Sequence, residues 1–196
     1  AGKVMDVVAL CDIDDARVAD RARTWPSAKQ FFDYRTLFDR MAKDIDAVVV
    51  STADHSHAPA AMRAMALGKH VYCQKPLTHT VHEARLMREM AAKTKVCTQM
   101  GNQESALNGL RRAVELVRAG VIGAVREAHV WTNRPAPYWK QAPDITSRPK
   151  EAPVPKGVHW DEFIGPAPLR PYAIAFAPRP AYHPHDWRGY WDFGTG

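Results

Sequence analysis

Residues 47–51, Ala-Val-Val-Val-Ser, constrain this chain more than any other stretch. Three consecutive valines offer apolar side chains to both faces of an extended strand, so the strand is expected to be buried on both. Such a strand belongs to a parallel sheet covered by helices on either side. The surrounding sequence supplies the remaining parts. Residues 4–11, VMDVVALC, read as a strand, and Asp14 is placed to cap a helix over 15–24. A short strand near 30–32 and a helix near 35–43 follow. Residues 58–67 are rich in Ala and Met and stop at Gly68. A strand at 71–73 leads to Thr78 or Thr80, either of which can cap a helix over about 80–93. A strand at 96–100 and a helix over 107–118, closed by Gly120, complete the alternation. The expected fold class is α/β, a doubly wound parallel sheet.

In such sheets ligands bind at the carboxyl ends of the strands. The residues at those ends are Asp12; Ser51, Thr52, Ala53, Asp54 and His55; Gln74, Lys75 and Pro76; and Gly101, Asn102 and Gln103. Every exit except that of the short strand near 30–32 carries polar groups, so one edge of the sheet has the composition of a site.

Two of these exits point to chemistry. An acid ending a strand either accepts hydrogen bonds from a dinucleotide's ribose hydroxyls or caps the following helix, and Asp12 and Asp14 leave both readings open. The companion signal, G-x-G-x-x-G about 20 residues upstream, would lie before Ala1. Lys75 follows an apolar strand, where partial desolvation favours the neutral amine. That suits a group passing a proton as an alcohol becomes a ketone. Pro76 fixes its own φ and is expected to restrict Lys75 to extended geometry. The plainer alternative is a surface lysine at a strand-to-helix turn.

Other features narrow the classes. The net charge is +6, but Lys and Arg are scattered among acids. That fits a solvated surface or an anionic ligand such as a phosphate, and not a nucleic-acid module. Cys11, Cys73 and Cys97 read as small buried hydrophobes without a disulfide framework. His55, His57, His183 and His185 match no zinc spacing, so no metal is expected. His79 and His82 flank a helix start and read as surface residues. No apolar run approaches the roughly 20 residues of a membrane helix. No signal peptide is visible, but the chain opens at Ala1 without Met, so localisation stays open, cytoplasmic by default.

Composition shifts near residue 130, beyond which lie twelve of the fifteen prolines and five of the six tryptophans. Residues 125–132 read as one more strand. Residues 134–186 read as a long Pro-pinned excursion with little regular structure, too aromatic to be disordered. Flat indole faces pack on sugar C–H faces, while Arg and His bond hydroxyls. Trp139, His185, Trp187 and Arg188 are the candidates for such contact. Equally, these aromatics staple the loop to the sheet or form an oligomer interface.

Residues 45–77, IDAVVVSTADHSHAPAAMRAMALGKHVYCQKPL, resemble the core of the Gfo/Idh/MocA oxidoreductases. That family carries T-P-[ND]-x-x-H, then A-x-x-A-x-x-x-G-K-H-V, then E-K-P. Here Ala53 replaces the first Pro and Gln74 the Glu. The resemblance extends over essentially the whole chain. The closing AYHPHDWRGYWDFGTG is similar to a planctomycete-like subgroup, many of whose members are exported by the twin-arginine route to the periplasm.

The resemblance implies a Rossmann domain binding NAD, with NADP an alternative, over 1–104. It also implies the start of a substrate and oligomerisation domain over 105–196. Asp12 would hold the ribose and favour NAD, because its charge repels a 2′-phosphate. Ser51, Thr52, His55 and His57 would line the dinucleotide. Gln74, Lys75 and Pro76 would approach the nicotinamide, with Asn102 or Gln103 beside it, and Lys75 would be the catalytic lysine. The implied activity is hydride transfer at a sugar, cyclitol or related polyol carbon, in a homo-oligomer when full length. Some relatives use NAD transiently to cleave glycosides, and a non-catalytic dinucleotide-binding protein of the same fold is a third reading. The family's glycine loop and its later catalytic Asp and His are not in the sequence, so a fragment, itself inactive, is expected.

Overall fold

A computed structural model describes residues 5–131, 147–176 and 179–195. Five parallel strands alternate with helices. They are β1 (Ala9–Cys11), α1 (Asp15–Ala22), β2 (Lys29–Phe31), α2 (Tyr34–Met41), β3 (Ala47–Val50), α3 (His57–Ala66), β4 (His70–Gln74), α4 (Val81–Thr94) and β5 (Thr98–Gly101). The helix α5 (Asn108–Arg118) follows. β1 pairs with β2, and β3, β4 and β5 pair in that order, all parallel. The fold is an α/β Rossmann-like arrangement with a parallel sheet.

The helix starts follow local chemistry. Asp14 is extended and its carboxylate accepts the Ala16 N–H, which makes Asp14, not Asp12, the cap of α1. Asp33 caps α2 in the same way. Thr80 and Glu83 form a reciprocal capping box at α4, satisfying two otherwise orphaned amides. At the far end of α3, Gly68 takes φ +73, a left-handed turn that glycine enters at little cost.

The first core lies between α2, α3, α4 and one face of the sheet. Ala61, Ala64 and Met65 of α3 are fully enclosed there, with Val50, Val71 and Cys73 from the strands and Met87 from α4. Small alanines let α3 lie close on β3 and β4. The other sheet face is not covered by the described residues: Val49 is 64% exposed, and Tyr72 is also exposed. Burial on both faces is therefore corrected to burial on one. The first strand is shorter than expected, Ala9–Cys11. Cys73 is buried, but Cys11 and Cys97 are exposed. Burial pushes the Cys73 thiol up to about 11.

The later segment is more ordered than its prolines suggest. It holds an antiparallel sheet of β6 (Lys150–Glu151), β7 (Ala173–Phe176) and β8 (Arg179–Pro180), with a short helix α6 (Trp160–Ile164). Trp160, Phe163, Tyr172, Tyr182, Trp187 and Phe193 form a second core. Its aromatic pairs include stacked Trp160–Phe163 and edge-on Trp160–Tyr172. The strand expected over 125–132 does not form within the described part, and residues 125–131 are exposed coil.

This second core is tied to the parallel sheet at the N-terminus of α1. His183 Nε2 lies 3.0 Å from Asp14 Oδ2, and His159 Nε2 lies 2.9 Å from Asp15 Oδ1. His159 also stacks on Phe32 at 3.8 Å. Burial works against a charge at Asp14, but the bonds from His183 and Ala16 and the charges of His183 and Arg17 outweigh it, holding the carboxyl below its ordinary value.

A carboxylate held low stabilises the fold above its unfolded-chain value of about 4 and loses that contribution as pH falls through the lower folded value. Asp14→Asn keeps a competent cap but removes the charge. The variant is expected to be about 1 kcal/mol less stable at pH 7. That gap should close below about pH 3. Urea unfolding at both pH values checks this, and a gap persisting in acid would assign the loss to packing. Separately, Thr80→Ala should cost about 1 kcal/mol with an unchanged urea m-value, since it removes a cap without altering the surface exposed on unfolding.

Candidate active site

Parallel pairing places the exits of β3, β4 and β5 on one edge, with Val50 beside Cys73 and Gln74 beside Gly101. At β5, Gly101 leaves room for the Gln74 side chain, which a Cβ there would strike. Gln74 crosses above Gly101, and its Nε2 donates to Gln103 Oε1 at 3.3 Å. The expected neighbours Gln74 and Gln103 are thus brought together. Asn102 is exposed beside them.

Lys75 stands exposed past the end of β4, and the peptide joining it to Pro76 is cis. The desolvation expected at Lys75 is not supplied by the described residues. Beyond it, Cys73 Sγ meets the Leu77 carbonyl at 3.7 Å, and Glu83 accepts the amides of His79 and Thr80. The loop therefore turns back onto its own strand and helix, leaving Lys75 at its outer edge.

The exit of β3 is held differently. Ser51 and Thr52 are exposed, and Thr52 Oγ1 donates to the Ala53 carbonyl. His55 and His57 are 2% and 1% exposed. His57 places Nδ1 2.6 Å from the Pro76 carbonyl and Nε2 3.1 Å from that of Thr52. His55 faces the opposite way, with Nε2 2.7 Å from the Phe163 carbonyl and Nδ1 3.3 Å from that of Phe193. Burial lowers the His55 pKa, and the carbonyl bonds oppose that shift. Both rings, expected to line a dinucleotide, are enclosed here with their nitrogens beside main-chain carbonyls.

At the β1 exit, Asp12 Oδ1 accepts the Asp14 N–H at 3.1 Å. Burial raises the Asp12 pKa; that amide, Arg17 and His183 oppose the rise. A cavity of about 450 Å³ opens here, lined by Leu10, Cys11, Asp12, Asp14, Arg17 and Arg21 among others. Its wall combines carboxylates, guanidiniums and apolar side chains.

The later segment reaches over this edge. Thr195 donates from its N–H and Oγ1 to Asp54 Oδ2 at 3.2 and 3.1 Å, and His79 Nε2 meets the Gly194 carbonyl at 3.3 Å. Gly194 packs against the Arg188 main chain, where a Cβ has no room. Of the aromatic-segment candidates, Trp187 is 6% exposed inside the second core, with the Arg188 guanidinium 4.2 Å above its ring. Of the two roles open to Trp187, its burial fits the structural one. Arg188 is half-buried and donates to the His185 carbonyl, and burial lowers its pKa against the pull of Asp54 and Asp186. The His185 side chain is largely exposed. Trp139 lies outside the described residues.

Sequence reasoning missed the contacts that join the two cores: His183 on Asp14, His159 on Asp15 and Thr195 on Asp54. Their partners lie more than 140 positions apart, and no local pattern marks them.

Comparison with known proteins agrees with this geometry. Residues 1–102 match the family model described as "Oxidoreductase family, NAD-binding Rossmann fold". The chain is 34% identical over 130 residues to inositol 2-dehydrogenase 3 of Saccharopolyspora erythraea, covering 63% of this chain and 36% of that protein. It is 35% identical over 130 residues to a glycosyl hydrolase family 109 protein of a Shewanella species, covering 61% and 28%. An oxidoreductase domain protein of Kribbella flavida, known from its crystal structure, is 36% identical with a TM-score of 0.54, over 62% of this chain and 32% of that one. The chain spans about a third of the length of the curated relatives it matches. With five parallel strands, a carboxylate ending β1 and a lysine past β4, it belongs to the Gfo/Idh/MocA family of NAD-binding Rossmann oxidoreductases.

Proposed function

We propose that the protein carrying this chain transfers a hydride between NAD and a hydroxyl-bearing carbon of a sugar, cyclitol or related polyol. The observation that carries the reading is Lys75, exposed just past β4 on the edge where β3, β4 and β5 end. The residues present fit a dinucleotide. Asp12 sits at a cavity with the polarity a ribose needs, and the exposed Ser51 and Thr52 lie at the neighbouring exit. Asp12 favours NAD over NADP, since a 2′-phosphate beside its carboxylate is repelled. β1 and β3 are not hydrogen-bonded to each other.

The bound nicotinamide supplies the hydride acceptor or donor. Lys75 takes the hydroxyl proton as the carbinol is oxidised and returns it in reduction. Gln74 orients that exit through Gln103 but adds no charge, so nothing on β4 favours the ammonium over the amine. Residues 193–195, laid across Asp54, His55 and His79, bring the later segment to the reacting edge. We place the division between cofactor and substrate regions near residue 104, and expect a homo-oligomer.

The similarity to a glycosyl hydrolase family 109 protein favours a second reading, in which NAD is used transiently and the net reaction is glycoside cleavage. Sugar release without net NADH accumulation distinguishes it from net oxidation.

Lys75→Ala in the intact protein should lower kcat by about 10²–10⁴-fold while the Kd for NAD stays within about threefold. Loss of NAD binding in the same proportion would make Lys75 a binding residue instead. Gln74→Glu should move the limb of the pH–rate profile that reports neutral lysine to higher pH, because a carboxylate beside Lys75 stabilises its charge. An unmoved limb would show that position 74 does not tune the lysine.

A further inference from the structure

His57 touches none of the reacting groups assigned above, yet it is among the most enclosed polar side chains described. Its ring spans two βα exits, with Nδ1 2.6 Å from the Pro76 carbonyl and Nε2 3.1 Å from the Thr52 carbonyl. Both partners are acceptors only, and a neutral imidazole carries a single N–H. The shorter contact is the one at Nδ1, where bonding requires an N–H, so Pro76 is the carbonyl held more closely.

Pro76 is the residue after Lys75. On the strand side, Gln74 is tied to Gln103. On the helix side, Leu77, His79 and Thr80 are tied to Cys73 and Glu83. Between these ties, the side-chain hydrogen bond among the described residues that holds the Lys75–Pro76 unit is that of His57. His57 itself opens α3, whose Ala61, Ala64 and Met65 are locked in the first core. The ring is therefore anchored to a helix buried in the first core and reaches the loop that carries Lys75. A buried carbonyl left without its donor is unfavourable, so the loop is confined to arrangements that keep Pro76 on His57.

We propose that His57 is a positioning residue for Lys75: through Nδ1–H it fixes the Pro76 carbonyl and with it the direction in which the Lys75 side chain leaves β4. The inference rests on the reading of Lys75 as the proton-transfer group. Misplacing such a group by about 1 Å is enough to cost about a hundredfold in rate.

The test compares His57→Phe, which keeps an enclosed ring but donates nothing, with His57→Gln, whose amide still donates to one carbonyl. Amide hydrogen exchange over residues 74–80 is read without cofactor, and kcat and the Kd for NAD are read in the intact protein. In His57→Phe, exchange over 74–80 should quicken severalfold while β5 and α4 stay protected. kcat should fall about tenfold to a hundredfold, with Kd within about threefold. His57→Gln should recover part of both effects. Unchanged exchange and kcat in His57→Phe would overturn the proposal. So would a general loss of protection and binding in both variants, which would make His57 a core residue only. If Lys75→Ala turns over normally while His57→Phe still loosens 74–80, the reading of Lys75 fails and the His57 tie to the loop is upheld.

Discussion

The turn from Asp54 to His57 is the joint on which both halves of the site depend. Three of its four side chains are buried polar groups, and buried polar groups persist only where they are hydrogen-bonded. Asp54 accepts from Thr195, and the His55 and His57 rings each lie between two main-chain carbonyls, those of Phe163 and Phe193 and those of Thr52 and Pro76. One short turn therefore fixes the exit of β4 on one side and the aromatic core on the other. The bonds to Phe163, Phe193 and Thr195 cross more than 100 positions while those to Pro76 and Thr52 are nearer in sequence, so the arrangement draws together the sheet, the loop and the later segment. That interdependence gives the edge a single geometry.

The parallel sheet was legible because its information is local. The valines of β3, the Ala-rich α3 ending at Gly68 and the Thr80–Glu83 box all announce themselves within a few residues. Exposure of Val49 was not legible, because an apolar side chain declares what it prefers and not whether a layer arrives to cover it. The role of the aromatic segment stayed open for a related reason. Its Trp and Tyr residues mark large apolar area, which serves a core as well as a sugar. Trp187 goes to the core because Phe193 and Tyr182 converge with it there, from positions no spacing rule connects.

His55 and His57 show the same limit in a polar residue. The motif that places them at a strand exit says where they are, and a ligand role follows easily from that. Their burial and their four carbonyl contacts say what they do. A histidine whose two nitrogens are both committed to main chain is a strut, however close it stands to a reacting centre. Asp12 is the opposite case. It keeps a face on the β1 cavity because Asp14 has taken over the capping of α1. Two acids two residues apart thus divide the work that either might have done alone.

The same reasoning locates the tuning of Lys75. A lysine becomes a proton acceptor near neutrality when burial or a neighbouring cation disfavours its charge. Lys75 is exposed past β4, and Gln74 beside it is neutral and engaged with Gln103. On the proposed function, what the protein provides is direction, through the tied loop on which the lysine stands, and the perturbation would come with an oxidised nicotinamide, itself cationic, and a polyol that excludes water. Gln74 would then leave that control with the ligand, whereas a glutamate in its place would favour the charged ammonium throughout.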